Sequence, residues 1–129
     1  MEKVVRKICL DTDVLINMAR DDSRTKEAIE AFDADFYTTT VNVFELWQGH
    51  RNGEETMELL EPLIKVGFDE KSAFTAGDIQ RNLFNKGDVL DFRDLFIGAV
   101  CIRHDLELLT FNLKHFGRLK RFGLKLVRT

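Results

Sequence analysis

The fold of this chain is decided by one stretch near its start, Val4-Val5-Arg6-Lys7-Ile8-Cys9-Leu10-Asp11-Thr12-Asp13-Val14-Leu15-Ile16. Its β-branched and apolar residues predict a strand from Val4 to Leu10, and the residues from Asp13 onward follow helical spacing. Asp11, Thr12 or Asp13 can cap that helix, because their side chains accept from the free N–H groups of a first turn. Carboxylates are otherwise rarely buried unless they are paired, hydrogen-bonded or bound to a cation. The junction is therefore either a helix cap or the edge of a carboxylate site.

Strand and helix patterns alternate along the rest of the chain. We predict strands at 36–39, 63–68, 107–110 and 124–127, and helices at 25–32, 40–51, 54–60 and 92–104, with a loop at 21–25. Asp69 caps a further helix that runs to Lys86, Asp91 caps helix 92–104, and a short helical turn covers 112–117. Asn52-Gly53 is expected to end the helix that starts at Thr40. Strands separated by helices indicate a three-layer α/β/α sandwich with a mainly parallel central sheet, in which ligands bind beyond the carboxyl ends of the strands.

Composition indicates one domain over residues 1–129. The chain is 44% hydrophobic and 32% charged, with one proline, which is typical of a globular, helix-rich protein. Cys9 and Cys101 lie inside predicted core elements and favour a reducing compartment over a disulfide scaffold. No apolar run is long enough to span a membrane, and Arg6 and Lys7 interrupt the N-terminal apolar stretch that a signal peptide requires. We therefore expect a soluble, cytoplasmic protein with no membrane partner.

The net charge of −3 is distributed unevenly. Residues 103–129 hold seven Lys/Arg against two acids, a net charge of +5, whereas residues 1–102 carry −8. A basic end beside an acid-lined pocket suits a substrate with a phosphate backbone. The alternative is a solvated C-terminal surface.

Two further acids stand in apolar surroundings. Glu45 lies within Val43-Phe44-Glu45-Leu46-Trp47, and Asp94 opens Leu95-Phe96-Ile97-Gly98-Ala99. Each has a structural alternative, since an acid in the first turn of a helix is stabilised by the helix dipole. Yet all these acids follow strand ends on one rim of a parallel sheet. Clustered carboxylate oxygens there predict a site for a hard divalent cation, Mg²⁺ or Mn²⁺. Gly98, one turn beyond Asp94, would let another backbone or a ligand approach closely.

Four motifs in order resemble the PIN-domain family over nearly the whole chain. Leu10-Asp11-Thr12-Asp13-Val14-Leu15-Ile16 looks like the family's opening signature, and Thr38-Thr39-Thr40-Val41-Asn42-Val43-Phe44-Glu45 like its second. Asp94-Leu95-Phe96-Ile97-Gly98-Ala99 resembles the third, and Leu109-Thr110-Phe111-Asn112-Leu113-Lys114-His115-Phe116 the fourth. The most similar subgroup is the VapC-like toxins of toxin–antitoxin pairs.

The resemblance implies an endoribonuclease that depends on Mg²⁺ or Mn²⁺. Carried over, Asp11, Glu45 and Asp94 are the metal-binding carboxylates, and Asn112 stands where many members have a fourth acid. Asp13 replaces a usually neutral residue and can supply charge nearby, while Asp91 is an outer acid or simply a cap. The resemblance also implies an RNA substrate, an antitoxin partner whose tail lies across the acidic groove, and a homodimer. The candidates to contact the substrate are Thr12, Thr40, Arg93, Arg103, Lys114 and Arg118. The alternative role of the two threonines is helix capping, above all for Thr40. The alternative for the basic residues is that they are simply exposed to solvent.

Two other interpretations use part of the same sequence. Asp11-x-Asp13 after an apolar strand is also how haloacid-dehalogenase-type phosphatases begin, but that interpretation gives no role to Glu45, Asp94 or Asn112. The second is a catalytically inactive PIN-like module that binds RNA or protein. Carboxylates that repel phosphate would not benefit such a binding surface.

Overall fold

The computed structural model describes residues 5–128, so the predicted strand residue Val4 lies outside the described part. It contains a five-stranded sheet in the order β3-β2-β1-β4-β5, and all four neighbouring strand pairs are parallel. The strands are β1 (Arg6–Leu10), β2 (Ala34–Thr39), β3 (Ile64–Val66), β4 (Glu107–Leu109) and β5 (Lys125–Leu126). The α-helices are α1 (Thr12–Ala19), α2 (Ser23–Glu30), α3 (Thr40–Gln48), α4 (Gly53–Leu60), α5 (Glu70–Asn85), α6 (Phe92–Arg103) and α7 (Leu113–Phe116), and a 3-10 helix covers Gly117–Phe122.

Strand β1 shows why the molecule has three layers. Its residues Ile8, Cys9 and Leu10 are all buried, although successive side chains of a strand point to opposite faces. Ile8 and Leu10 pack into one apolar cluster with residues of α1 to α4, and Cys9 packs into the other with residues of α5, α6 and the 3-10 helix. Helices therefore cover both faces of a parallel sheet, which confirms the predicted α/β sandwich.

The strand order also places the site. From β1 the chain moves first to β2 on one side, and later returns to β4 on the other side of β1. Ligands bind in the crevice at such a reversal, beyond the carboxyl ends of the strands. Asp11 follows β1 directly and its backbone N–H donates to the carbonyl of Leu109 at 3.0 Å. Asp11 therefore lies in this crevice.

Several predicted boundaries were wrong, and side-chain caps explain two of them. Helix α2 begins at Ser23 rather than Thr25, because the Asp22 carboxylate accepts from the backbone N–H of Thr25 at 3.1 Å. Asn52 does not end α3. It caps α4, accepting from the N–H of Glu55 at 3.2 Å, and α3 ends before Gly49. The predicted caps Asp69 and Asp91 are confirmed, each accepting from a backbone N–H of its own helix at 2.9 Å.

Gly98 does allow a close approach, but the neighbour is a side chain rather than a backbone or a ligand. A Cβ atom at this position would lie 2.3 Å from Cδ1 of Leu119. Leu119 belongs to the 3-10 helix, which the sequence did not predict, and it is fully buried. The glycine thus lets the C-terminal segment pack against the helix that carries Asp94.

Within residues 5–128, no helix has both the length and the apolar character to cross a membrane. Cys9 and Cys101 are both free and buried, as expected for core thiols.

Candidate active site

Asp11 is the buried centre of the site. Only 6% of the residue is exposed. Its Oδ1 accepts from the Asn42 amide at 2.9 Å, and its Oδ2 accepts from the Thr110 hydroxyl at 2.7 Å. Although Asp11 precedes α1, its side chain makes no capping hydrogen bond, so the capping alternative was wrong for this residue. Burial raises the pKa of Asp11, and the hydrogen bonds from Thr110 and Asn42 oppose the rise.

Asn42 contacts Asp11 directly, and the sequence interpretation did not include it among the site candidates. Its Oδ1 accepts from the backbone N–H of Thr39 at 3.2 Å and from the Thr39 hydroxyl at 2.7 Å, in a capping box that starts α3. Because the amide oxygen is engaged there, the amide nitrogen is left to donate to Asp11 and to the Thr12 hydroxyl, both at 2.9 Å. The signal was the Thr-x-x-Asn spacing at a strand end, which is typical of a capping box.

Glu45 joins the site through Thr12. The Thr12 hydroxyl donates to Oε1 of Glu45 at 2.8 Å while it accepts from Asn42. Nη1 of Arg93 lies 4.0 Å from the other oxygen, Oε2. Burial raises the pKa of Glu45, the Thr12 hydrogen bond opposes the rise, and the charge of Asp11 adds to it. Thr12 and Arg93 therefore contact an acid of the site.

Asp94 does not cap helix α6, because the neighbouring residue Asp91 does so. Asp91 accepts from the backbone N–H of Arg93, so Asp94 is not needed to cap α6. Burial raises the pKa of Asp94 to about 6, and the negative charges of Asp11, Asp91 and Glu45 add to the rise. A carboxylate whose pKa is raised by three other acids lies in a region of uncompensated negative charge.

Asp13 shares this region. Its Oδ2 accepts from the backbone N–H of Phe111 at 3.1 Å and lies 3.5 Å from the Thr110 hydroxyl. Its Oδ1 is buried and has no hydrogen-bond partner among the described residues. Burial, followed by the charge of Asp11, raises the pKa of Asp13 to about 6. The atom Oδ1 is therefore a buried oxygen without a hydrogen-bond donor in the described part of the chain.

Asn112 closes the opposite side of the crevice. Its backbone N–H donates to the Thr110 hydroxyl at 3.0 Å, which links it to Asp11 through one side chain. Its amide Nδ2 lies 2.8 Å from Nδ1 of His115. The same Nδ1 is 3.9 Å from Oδ2 of Asp94. His115 thus lies between Asn112 and Asp94, a position that its lack of metal-ligand spacing had not suggested.

The remaining substrate candidates lie less close to the acids. Thr39, not Thr40, caps α3, and the Thr40 side chain is exposed. Arg103 ends α6, nine residues from Asp94 and therefore about 14 Å along the helix axis. Lys114 is exposed on α7. Arg118 donates at 2.8 Å to both Asp88 and the Val89 carbonyl, and so holds the loop before α6.

The acids line the crevice, but their carboxylate groups do not converge on one point. Across residues 5–128, no three acidic, histidine or cysteine side chains form a group close enough to hold a metal ion as they stand. Asp11, Glu45, Asp94 and Asp13 nevertheless influence one another electrostatically, as their raised pKa values indicate. The arrangement offers hard oxygen ligands, and neutral donors hold the central one.

Comparisons of the sequence and of the fold with known proteins agree on one family. The PIN domain family matches residues 8–121. The chain is 31% identical to Ribonuclease VapC1 from Methanocaldococcus jannaschii over 98% of this chain and 90% of that protein. Solved structures that share the fold include VapBC2 from Rickettsia felis bound to a DNA fragment from its promoter (TM-score 0.81, 21% identity, 94% of this chain and 97% of that chain). Another is VapBC-5 from Mycobacterium tuberculosis, a member of the VapBC family of toxin-antitoxin systems (TM-score 0.70, 20% identity, 95% and 98%). The extent of the family match and the identity to VapC1 show that this chain belongs to the PIN-domain family.

Proposed function

We propose that this protein is an endoribonuclease that depends on Mg²⁺ or Mn²⁺ and acts as the toxin of a toxin–antitoxin pair. The observation that carries the proposal is Asp11, buried at the reversal of strand order with both oxygens held by neutral donors. Its charge raises the pKa values of Glu45 and Asp94 beside it. The identity to a protein named a ribonuclease supports RNA as the substrate.

The residues present fit a hard divalent cation. All candidate ligand atoms are oxygens, and Oδ1 of Asp13 is buried without a partner among the described residues. Burial raises the pKa of each carboxylate, and the charge of Asp11 adds to the rise at Asp13, Glu45 and Asp94, so a cation would offset part of it. Mg²⁺ usually keeps several of its waters, so the carboxylates need not close on one point to hold it. In the proposal Asp11, Glu45 and Asp94 hold the cation, with Asp13 and Asn112 as further ligands.

The side chains around the acids have separate tasks in this mechanism. A bound cation would lower the pKa of a coordinated water and offset the charge that develops on the phosphate. Asn42 and Thr110 fix the Asp11 carboxylate from two sides, and Thr12 fixes Glu45. Arg93 is half exposed and is oriented by Asp91, with Nε 3.3 Å from Oδ1, so its guanidinium can meet a phosphate of the RNA backbone. Lys114 and Thr40 supply more distant contacts.

The test compares two substrates and two variants. Wild-type protein with Mn²⁺ is expected to cleave single-stranded RNA and to leave a phosphomonoester intact, whereas Asp94→Asn should lose RNA cleavage. Asp78→Asn is the matched control, because Asp78 is exposed on α5, outside the crevice. If Asp94→Asn cleaves RNA as fast as the control, the cleavage does not depend on these carboxylates and the nuclease proposal fails. If the wild type cleaves no RNA, the inactive binding module becomes the better interpretation.

The phosphatase interpretation accounts for fewer of the residues around Asp11. It gives no role to Glu45, Asp94 or Asn112, although Thr12 and Asn42 link Glu45 to Asp11 and the Thr110 hydroxyl links Asn112 to Asp11. We therefore expect no phosphomonoesterase activity.

An antitoxin partner is part of the proposal. Helices α1, α3 and α4 border a groove of about 390 Å³ that extends to Glu45 and is lined in part by Ile16, Leu46 and Leu59, with Arg20 at its edge. A protein segment lying there would cover one acid of the site and prevent RNA from reaching it. Co-expression with the product of the neighbouring reading frame should give a stable complex without RNA cleavage. Activity unchanged in the presence of that product would contradict the toxin assignment.

A homodimer in the cytoplasm completes the proposed function. We expect light scattering after size-exclusion chromatography to give twice the mass of the 15.0 kDa chain. A monomer at micromolar concentration would contradict the homodimer and leave the nuclease proposal unaffected.

A further inference from the structure

His115 is a surface histidine, yet it contacts a specific neighbouring side chain, that of Asn112. The residue is exposed on α7, yet its Nδ1 lies 2.8 Å from the side-chain amide nitrogen of Asn112. Its separation of 3.9 Å from Oδ2 of Asp94 is too long for a hydrogen bond. The contact with Asn112 is therefore the hydrogen bond that orients the ring.

This contact couples the two side chains. With the amide nitrogen facing the ring, the NH₂ group donates, Nδ1 accepts and the ring proton lies on Nε2. The Asn112 amide then turns its nitrogen to His115 and its oxygen away from the ring. If the ring proton were on Nδ1, the same distance would require the opposite amide orientation, because only the amide oxygen accepts.

The orientation matters because an asparagine is not symmetric. A cation binds the amide oxygen and is repelled by the partly positive NH₂ group. An aspartate, by contrast, offers two equivalent oxygens and needs no such choice. Asn112 is anchored beside Asp11 through the Thr110 hydroxyl, so the orientation of its amide decides which atom this side of the site can offer.

We propose that His115 is a positioning residue that holds the Asn112 amide with its oxygen free to bind a divalent cation at the acidic site. The inference rests on the function proposed above, since it needs a cation there. His115 itself is not a ligand in this arrangement. Its contribution is to select one of two orientations of a neighbouring side chain, as outer partners of metal ligands commonly do.

The first test reads the tautomer without metal or substrate. In ¹⁵N-labelled, metal-free protein at about pH 8, long-range ¹H–¹⁵N spectra should show His115 with the proton on Nε2 and an unprotonated Nδ1. His115→Ala identifies its signals. A proton on Nδ1 would overturn the proposal, because the amide would then present its NH₂ group to the site.

The second test is a double-mutant cycle on Mn²⁺ affinity, measured by isothermal titration calorimetry. His115→Ala should weaken Mn²⁺ binding about tenfold in the wild-type background, the lower end of the range for outer partners of metal ligands. In an Asn112→Asp background the same substitution should change the affinity less than about twofold, because a carboxylate has no orientation to lose. His104→Ala, which removes a histidine 3.0 Å from Asp69 at the other end of α6, is the matched control.

The outcomes separate the two proposals. If wild type binds Mn²⁺ but His115→Ala weakens it equally in both backgrounds, or in neither, only the role of His115 is overturned. His115→Asn, which retains an acceptor near the position of Nδ1, should restore most of the lost affinity. If the wild type binds no Mn²⁺, the metal-dependent function fails and this inference fails with it.

Discussion

Asp94→Asn should abolish RNA cleavage and, at the same time, stabilise the metal-free fold above pH 6. The pKa of Asp94 is raised from 3.8 to about 6, first by burial and then by the charge of Asp11. Because the folded-state pKa lies above the unfolded one, ionisation of Asp94 opposes folding. The cost is absent below about pH 4, develops as the pH rises from 4 to 6, and is complete above pH 6. The full shift corresponds to about 3 kcal/mol.

The measurable gain in the free energy of unfolding is smaller than this. The Asp94 side chain is 22% exposed, so solvent screens its charge. We expect Asp94→Asn to raise the free energy of unfolding by about 1 kcal/mol at pH 8 and by nothing at pH 4, in EDTA and with Asp78→Asn as control. Urea denaturation at both pH values measures this. Added Mn²⁺ should reverse the order and make wild type the more stable protein. An equal gain at both pH values, or no gain at pH 8, would refute the argument from the raised pKa of Asp94.

Three further changes test the site and its support. Asn42→Ala removes the amide that holds Asp11, Thr12 and Thr39, and should lower the free energy of unfolding in urea by about 3 kcal/mol; a loss under about 1 kcal/mol would mean that water replaces the amide. Gly98→Ala should cost about 2 kcal/mol in the same assay, because the new Cβ would lie 2.3 Å from Leu119, and Leu119→Ala should remove that extra cost; additive losses would contradict the clash. EDTA should stop RNA cleavage and Mn²⁺ or Mg²⁺ should restore it, and activity that persists in EDTA would refute metal dependence.

The fold could be read from the sequence because its signals are local. Buried runs such as Ile8-Cys9-Leu10 and the caps Asp69 and Asp91 depend on residues a few positions apart. Boundaries failed where two local signals competed. Asn52-Gly53 looks like the end of one helix and is the beginning of the next, since an asparagine side chain serves well as an N-cap.

The sequence proposed the acids of the candidate site, and it missed the residues that form hydrogen bonds with them. Asp11, Glu45 and Asp94 were identified from their apolar surroundings and from the motifs that contain them. Asn42 was not, because nothing near it in sequence tells which carboxylate its amide will meet. His115 was not either, because its position beside Asp94 depends on how α6 and α7 pack. Asn42 is 31 residues from Asp11 in sequence and Thr110 is 99 residues from it, yet both form hydrogen bonds with its carboxylate.

Local patterns in the sequence were enough to predict that strands and helices alternate, that acids follow strand ends, and that the chain resembles the PIN domains. The sequence left each acid as either a helix cap or part of a site, since both need a carboxylate at the start of a helix. Only the tertiary structure decided between them. Asp91 is a cap because a backbone N–H of its own helix reaches it, whereas the carboxylate of Asp11 is held by side chains from two other segments of the chain. A hydrogen bond needs its partners within about 3 Å, and for residues far apart in sequence only the folded chain brings them that close.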